Sequence, residues 1–173
     1  MSLRVVPVDL LVLSNKLQCR VSVPDGVIDE YVARWKDSEL TFPFPPVTVV
    51  SVDGLLYVVD GFCRVQSAIL AGVEKLECNV ATGTWSHAIE LACGANADHG
   101  LRRTNDDKHR AVEVALEHFR NSSDRKIAKI ANVSHTFVAL LRKGKNEPDA
   151  FSEPVKPKKL KPRAARTFGA ATS

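Results

Sequence analysis

The residues with the clearest chemical potential lie over 124–142, where basic and polar side chains alternate with an apolar helical pattern. Ala128 is small enough to let a second helix cross the first, and Asn132 tolerates a left-handed turn. The expected buried positions are Ile127, Ala131, Val133, Val138 and Leu141. This pattern predicts a helix-turn-helix, a motif whose second helix enters the major groove of DNA.

The outward positions of this motif carry side chains that can contact DNA. Serine and threonine bond phosphates or base edges, histidine donates to a purine N7, and alanine contacts the thymine methyl group. Basic side chains beside them would contact phosphates. We therefore expect DNA contacts from Arg125, Lys126, Lys129, Ser134, His135, Thr136, Ala139, Arg142 and Lys143. The alternative is a plain helical hairpin that only packs against the core.

A second candidate site lies at Asp60-Gly61, where a strand is expected to end and a helix to begin near Phe62. The first N–H groups of such a helix form an anion site, and Arg64 could hold a phosphate through two donors. Cys63, between the helix start and the arginine, is expected to have a lowered pKa. Alternatively, Asp60 caps the helix and Arg64 forms a surface ion pair.

The elements that must position these sites follow from hydrophobic periodicity and turn residues. Asp53-Gly54 between two β-branched runs predicts a hairpin, because both turn residues need positive φ. Other strands are expected at Val5–Leu13 and Leu76–Val80, and helices over 27–35, 62–71 and 84–95 and from Asn105 or Asp106 onward. No strand pattern follows residue 101, so an α+β half precedes an all-helical half.

Two motifs give the chain a family resemblance. Residues 60–68 (DGFCRVQSA) resemble the DGxHRxxA motif of the ParB/sulfiredoxin superfamily. Residues 95–105 (ANADHGLRRTN) resemble the ANxxHGxRRT segment of short ParB-like proteins, which precedes a helix-turn-helix. The resemblance covers roughly residues 1–145. It implies a ParB-N/sulfiredoxin-like α+β domain with a mixed sheet over 1–100 and an all-α helix-turn-helix domain over 101–146.

The resemblance also implies a ligand, because the equivalent region of chromosome-partitioning ParB proteins binds CTP. It implies CTP or another nucleoside triphosphate, with or without Mg²⁺, at Gly61, Phe62, Cys63, Arg64, Asn96, Arg102 and Arg103. Ala95 stands where the family has a glutamate that helps to hold the metal, and Cys63 where it has a histidine. These departures favour binding over catalysis, so we assign no catalytic or metal-ligating residue.

The expected function is that of a DNA-binding ParB-like protein in partition, plasmid or phage maintenance, or transcription control. One alternative is an enzyme of the same superfamily, a CTPase, an ATPase or a DNA nuclease. Another is an interaction module whose two-helix motif binds protein. An enzyme would need metal ligands and a catalytic base. The glutamate missing at Ala95 and the histidine missing at Cys63 therefore favour binding over catalysis.

Composition and charge agree with a DNA-binding protein. The chain has 173 residues, 45% hydrophobic and 25% charged, as in ordinary soluble proteins. Residues 143–173 carry eight of the 24 basic and three of the 20 acidic side chains, so 16 basic and 17 acidic side chains remain elsewhere. The Pro/Lys-rich tail over 147–173 is expected to be disordered. A basic tail on a near-neutral body indicates a polyanionic partner, here double-stranded DNA.

Other classes are disfavoured by what the sequence lacks. No apolar run approaches the roughly 20 residues that cross a bilayer, so no membrane partner is expected. The four cysteines show no metal-binding spacing and indicate a cytoplasmic, nucleoid- or plasmid-associated protein. The tail has no apolar heptad pattern, so a homodimer would have to form through the folded body.

Deleting residues 147–173 is expected to flatten the dependence of log affinity for duplex DNA on log salt concentration. The deletion removes Lys156, Lys158, Lys159, Lys161, Arg163 and Arg166. Every phosphate that the tail no longer neutralises should reduce the slope by about 0.9, because fewer counterions are released. Fluorescence anisotropy across a salt series measures the slope, and an unchanged slope would mean that the tail does not touch phosphate.

Overall fold

The computed structural model describes residues 1–37, 39, 41–95 and 103–146. Its strands are β1 (Ser2–Pro7), β2 (Leu11–Val12), β3 (Val47–Val52), β4 (Leu55–Asp60) and β5 (Lys75–Thr82). Its helices are α1 (Val27–Asp37), α2 (Phe62–Ala71), α3 (Trp85–Gly94), α4 (Asn105–His118), α5 (Asp124–Ala131) and α6 (His135–Asn146). The expected domain boundary at 100/101 and the tail over 147–173 lie outside the described residues. None of the described helices is long and apolar enough to cross a bilayer.

The strands form one mixed five-stranded sheet in the order β1-β5-β3-β4-β2. The pairs β1–β5 and β3–β4 are antiparallel, whereas β3–β5 and β2–β4 are parallel. Asp53 and Gly54 join β3 to β4 with φ values of 50° and 83°, which confirms the predicted hairpin. With the helices, this mixed sheet confirms the expected α+β class.

The beginning of the chain differs from the single strand predicted over Val5–Leu13. Instead, a 3₁₀ turn at Val8–Leu10 separates β1 from β2, which lie at opposite edges of the sheet. Four strand spacings would separate those edges by about 19 Å in a flat sheet. The connection from Pro7 to Leu11 can span at most about 14 Å. The sheet must therefore curl, bringing its two edges together.

Helices α1 and α2 pack against each other and form one side of the later site. The five predicted apolar positions of α1 are half-buried, and its other residues are exposed: Val27, Ile28, Tyr31, Val32 and Trp35. The indole Nε1 of Trp35 donates to Ser67 Oγ of α2 at 3.0 Å. Ser67, which is fully buried, donates in turn to the Arg64 carbonyl at 3.0 Å. The Trp35 indole N–H and the Ser67 hydroxyl are therefore hydrogen-bonded where the two helices pack.

Helix α3 joins the sheet to the helices that follow it. It packs against β4 on one side and against α4 and α5 on the other. Gly94, its last residue, lies so close to α5 that an added Cβ would be 3.3 Å from the Ile130 carbonyl oxygen. The buried residues of the sheet and of α4–α6 consequently form one continuous core.

A buried carboxylate fixes the loop between β2 and α1 to the start of α4. Asp107 is 2% exposed, and its oxygens accept hydrogen bonds from the N–H groups of Val21 and Thr104, each at 2.9 Å. Thr104 Oγ1 accepts from the Asp107 N–H at 3.1 Å, completing a capping box. Arg20 Nη1 lies 3.5 Å from Asp107 Oδ2.

The charge on Asp107 is favoured by these partners. Burial by itself would raise the pKa of this carboxyl, but the hydrogen bonds from Val21 and Thr104 and the charge of Arg20 outweigh burial. The net result is a pKa below the ordinary value. The folded protein therefore prefers the ionised form more strongly than the unfolded chain does.

Replacing Asp107 by alanine is expected to lower the free energy of unfolding by about 3 kcal/mol at pH 7, because Arg20 loses its buried partner. The difference from wild type should be full above pH ~4, the unfolded pKa, and should shrink as pH falls through the lower folded pKa. Urea unfolding at several pH values measures it. Asp106→Ala, at an exposed position in the same turn, should cost less than about 1 kcal/mol. Equal effects of the two variants would contradict a structural role for Asp107.

Candidate functional site

The turn from β4 into α2 requires glycine. Gly61 has a φ of 97°, in the left-handed region. A Cβ atom there would lie 2.7 Å from Val47 Cγ1 and 3.0 Å from Arg64 Nε. The close approach lets α2 begin directly at the end of the strand. No side chain caps the first turn of α2, so its leading N–H groups have no partner within the helix.

Three of the five N–H donors of Arg64 are engaged by the protein itself. Its Nη2 donates to Asp60 Oδ2 at 2.9 Å, and its Nη1 donates to the carbonyls of Pro45 at 2.7 Å and Pro46 at 3.0 Å. The predicted phosphate grip stays a prediction, and these contacts give Arg64 a positioning role. It holds the proline-rich segment before β3 against the β4–α2 turn. The alternative interpretation is met in part: Arg64 forms an ion pair, with Asp60, but the N-cap of α2 is Gly61 and not Asp60.

A cavity of about 310 Å³ opens beside this turn. That volume lies at the lower end of the range for small-molecule sites. The first turn of α2 lines it with Gly61, Phe62, Cys63 and Arg64, and Arg103 lines it from the segment before α4. Two of the predicted ligand-binding residues, Asn96 and Arg102, lie outside the described residues. The remaining five predicted residues share one cavity although they come from two distant motifs.

Arg103, which also lines the cavity, has unused hydrogen-bonding capacity among the described residues. Its Nη1 donates to the carbonyl of Ala131, at the end of α5, at 2.9 Å. Its Nη2 is buried and has no hydrogen-bond partner among the described residues. A buried donor without a partner is costly, and Arg103 also lines the cavity, so its guanidinium is a candidate contact for an anion there.

The other walls of the cavity are formed by residues that were not predicted to belong to a ligand site. Arg20 and Asp107 form a polar wall. Val27, Tyr31 and Phe44 form an apolar wall, where the rings of Tyr31 and Phe44 lie 4.7 Å apart between centroids. No local signal marks these positions, because α1 and its flanking loops reach the cavity only in the folded protein. The cavity thus combines a cationic side with an aromatic side.

The thiol of Cys63 also lines the cavity, but its expected low pKa is wrong. Burial raises the pKa of Cys63 above the ordinary value, and the charges of Arg20 and Arg64 lower it by less. The sequence placed this thiol beside an arginine, which is correct. Because that arginine is paired with Asp60, its charge does not dominate the surroundings of the thiol.

Helices α5 and α6 form a tight two-helix unit. Ser123 Oγ accepts from the Lys126 N–H at 3.3 Å, Asn132 ends α5 with a φ of 49°, and Ser134 Oγ accepts from the Phe137 N–H at 3.2 Å. The left-handed Asn132 confirms the predicted turn residue. The predicted buried positions are buried in the structure, except that Val133 is only partly buried: Ile127, Ala131, Val133, Val138 and Leu141. Ala128, the predicted crossing residue, is buried as well.

Most of the predicted DNA-contacting side chains point away from the core. Those that are exposed are Arg125, Lys126, Lys129, Ser134, His135, Thr136 and Lys143, and Ala139 is half-buried. Arg142 differs, because its Nε donates to Asp124 Oδ1 at 2.7 Å and its other nitrogens donate to the carbonyls of Arg120 and Ser122. Arg142 therefore fixes α6 to the start of α5 instead of facing outward.

Metal binding is a separate matter. Among the described residues, no group of three His, Cys, Asp or Glu side chains is placed to hold a metal ion. The two carboxylates of the cavity, Asp60 and Asp107, are bonded to Arg64 and Arg20. Arg103 and the first N–H groups of α2 are donors at the cavity of the kind that a phosphate chain needs.

One known protein resembles the chain in sequence. No family model matches the chain. Over 98 residues it is 34% identical to the transcriptional regulator NovG of Streptomyces niveus, a match that covers 57% of this chain. The matched segment spans only 30% of the length of that regulator.

Two solved structures resemble it in fold. A Pnob8-like ParB-N domain matches 82% of this chain and 68% of its own at a TM-score of 0.58 and 11% identity. The C-terminally truncated chromosome-partitioning protein ParB of Caulobacter crescentus, complexed to the centromeric parS site, matches 84% of this chain and 73% of its own, at a TM-score of 0.54 and 18% identity. At these identities the likeness concerns the fold alone, and the chain has the α+β fold of these two ParB structures.

Proposed function

We propose that this chain is a sequence-directed DNA-binding protein that acts in transcription control, with a cavity that binds a nucleoside triphosphate. The observation that carries the DNA-binding proposal is the exposed polar start of α6. Ser134, His135 and Thr136 are exposed there, above a buried apolar seam. A helix that presents such residues at its first turn has the form required to read base edges.

The basic side chains around this turn have the placement expected of phosphate contacts. Arg125, Lys126 and Lys129 are exposed on α5, and Lys143 is exposed near the end of α6. The first helix of a helix-turn-helix crosses the DNA backbone while the second lies in the groove. The α5 cations would then fix the position of the protein on DNA, and the α6 residues would select the sequence.

Transcription control is favoured over partition by the relative at 34% identity, which is named as a transcriptional regulator. The ParB structure of similar fold is described as a complex with the centromeric parS site. Both names concern proteins that act on or through DNA. The proposal for this chain rests on them together with the exposed face of α6.

The cavity has the dual character that a nucleotide requires. Tyr31 and Phe44 offer an aromatic face for a base, since bases stack on aromatic rings. Arg103 Nη2 and the uncapped start of α2 offer donors to phosphates. Because Asp60 and Asp107 are already paired with arginines, we expect binding with slow or absent hydrolysis.

Alanine substitutions should separate sequence selection from general affinity for DNA. A preferred duplex is first selected from a random library with the full chain. His135→Ala and Thr136→Ala should reduce the ratio of preferred to random affinity by about tenfold, because one base contact discriminates by about 1–3 kcal/mol. Lys126→Ala and Lys129→Ala should weaken both duplexes alike, since phosphates are the same in every sequence.

The matched control is Lys36→Ala, which removes an exposed lysine of α1 and should leave both affinities unchanged. If His135→Ala and Lys129→Ala weaken preferred and random DNA in the same proportion, α6 does not read the groove. Loss of binding in the Lys36→Ala variant would mean that DNA lies on a different face.

Calorimetry with CTP and with ATP tests the cavity. Replacing Arg103 by methionine should weaken binding by about tenfold or more, because a charge-assisted hydrogen bond is worth about 1.5–3 kcal/mol. Arg4→Met, on the exposed β1 strand, should bind as wild type does. Undetectable binding of both nucleotides by wild type would reduce the cavity to a scaffold without affecting the DNA proposal. Rapid phosphate release would contradict a binding role and indicate an enzyme.

A further inference from the structure

Two cysteines that the sequence placed far apart are neighbours in the structure. Cys19 lies in the loop between β2 and α1, and Cys93 lies in the last turn of α3. Their Sγ atoms are 3.9 Å apart, although 74 residues separate them in the chain. Cys93 is fully buried, whereas Cys19 is half-buried and lines the 310 Å³ cavity. A small molecule in the cavity can therefore reach one thiol, with the second directly behind it.

The two thiols have different surroundings, which shift their pKa values in opposite directions. The hydrogen bond between the two thiols lowers the pKa of Cys19; burial opposes this, and the charges of Arg103 and Arg110 assist it. The pKa of Cys93 is raised by the same hydrogen bond and by burial. Cys19 is thus the thiol that ionises first, and Cys93 keeps its proton.

We propose that Cys19 and Cys93 form a dithiol oxidation site, at which a peroxide entering the cavity converts the pair into an intrachain disulfide. The accessible Cys19 is the attacking thiol, and the buried Cys93 is the resolving thiol. This site does not depend on the proposed nucleotide or DNA binding. It needs only the contact between the two sulfur atoms and the opening of the cavity.

The reaction proceeds in two balanced steps. Cys19 releases its proton to solvent, and its thiolate attacks one oxygen of the peroxide. The O–O bond breaks, hydroxide leaves and takes up a proton, and Cys19 becomes a sulfenic acid. Cys93 sulfur then attacks Cys19 sulfur, the S–O bond breaks, and the departing hydroxide takes the Cys93 proton to form water. Hydrogen peroxide is thereby reduced to two waters as the two thiols are oxidised.

The disulfide would join two walls of the fold that are otherwise held by noncovalent contacts. The loop of Cys19 also carries Arg20 and Val21, which bind Asp107 at the start of α4. Helix α3 ends at Gly94, against the Ile130 carbonyl of α5. Oxidation would therefore fix the wall of the cavity to the helix that supports α5.

The experiment treats the reduced full chain with increasing hydrogen peroxide and maps its peptides by mass spectrometry without reduction. We expect two of the four thiols to disappear, a Cys19–Cys93 cross-linked peptide to form, and dithiothreitol to reverse both changes fully. Dimedone, which traps sulfenic acids, should label Cys19 in the Cys93→Ser variant. Cys19 should react faster than Cys63, because the pKa of Cys19 is lowered whereas burial raises the pKa of Cys63.

Single cysteine-to-serine variants serve as controls whose results could contradict the proposal. Cys63→Ser and Cys78→Ser should form the same disulfide as wild type, and Cys19→Ser should form none. A cross-link that includes Cys63 or Cys78, a disulfide between chains, or oxidation of Cys63 before Cys19 would overturn the proposal. So would retention of all four thiols in wild type at peroxide concentrations that oxidise free cysteine. The wild-type peptide map decides the matter even if Cys93→Ser does not fold.

Discussion

The arrangement of this protein depends on one buried carboxylate. Asp107 begins α4 through its capping box with Thr104, and the same group binds Val21 and Arg20 of a loop that lies more than 80 residues earlier. The loop carries one wall of the cavity, and α4 begins the helical half. A buried charge must have partners on every side, so Asp107 brings the two together in one geometry. The positions of Cys19, Arg20 and Arg103 around the cavity follow from it.

Arg103 connects the cavity to the α5–α6 unit, because it lines the cavity and also bonds the end of α5. Arg103 lines the cavity and donates to the last carbonyl of α5 through one terminal nitrogen, whereas the other is buried without a partner among the described residues. Gly94 of α3 contacts α5 in the same region. The turn at Asn132 is therefore held by groups that also surround the cavity. A ligand that bound Arg103 Nη2 would act on a side chain already attached to this turn.

Arginines illustrate why residue type alone does not assign a role. Arg64, Arg103 and Arg142 were all predicted to bind an anion or DNA. In the structure Arg64 is engaged by Asp60 and two proline-segment carbonyls, and Arg142 by Asp124 and two loop carbonyls. Only Arg103 has an unpartnered buried nitrogen among the described residues. A guanidinium has five donors, so it joins loops to helices as readily as it binds phosphate.

The sequence by itself determined most elements and turns, because these depend on neighbours a few residues away, but it did not reveal the 3₁₀ turn that separates β1 from β2. The hairpin at Asp53-Gly54, the left-handed Asn132 and the apolar face of α1 were all readable from spacing and residue type. The tertiary structure alone decided which charges remain available and which thiols meet. Cys19 and Cys93 are brought together across 74 residues by the packing of a loop against α3. Local sequence patterns do not predict such contacts, because the partner of a side chain depends on which distant elements of the chain pack against it.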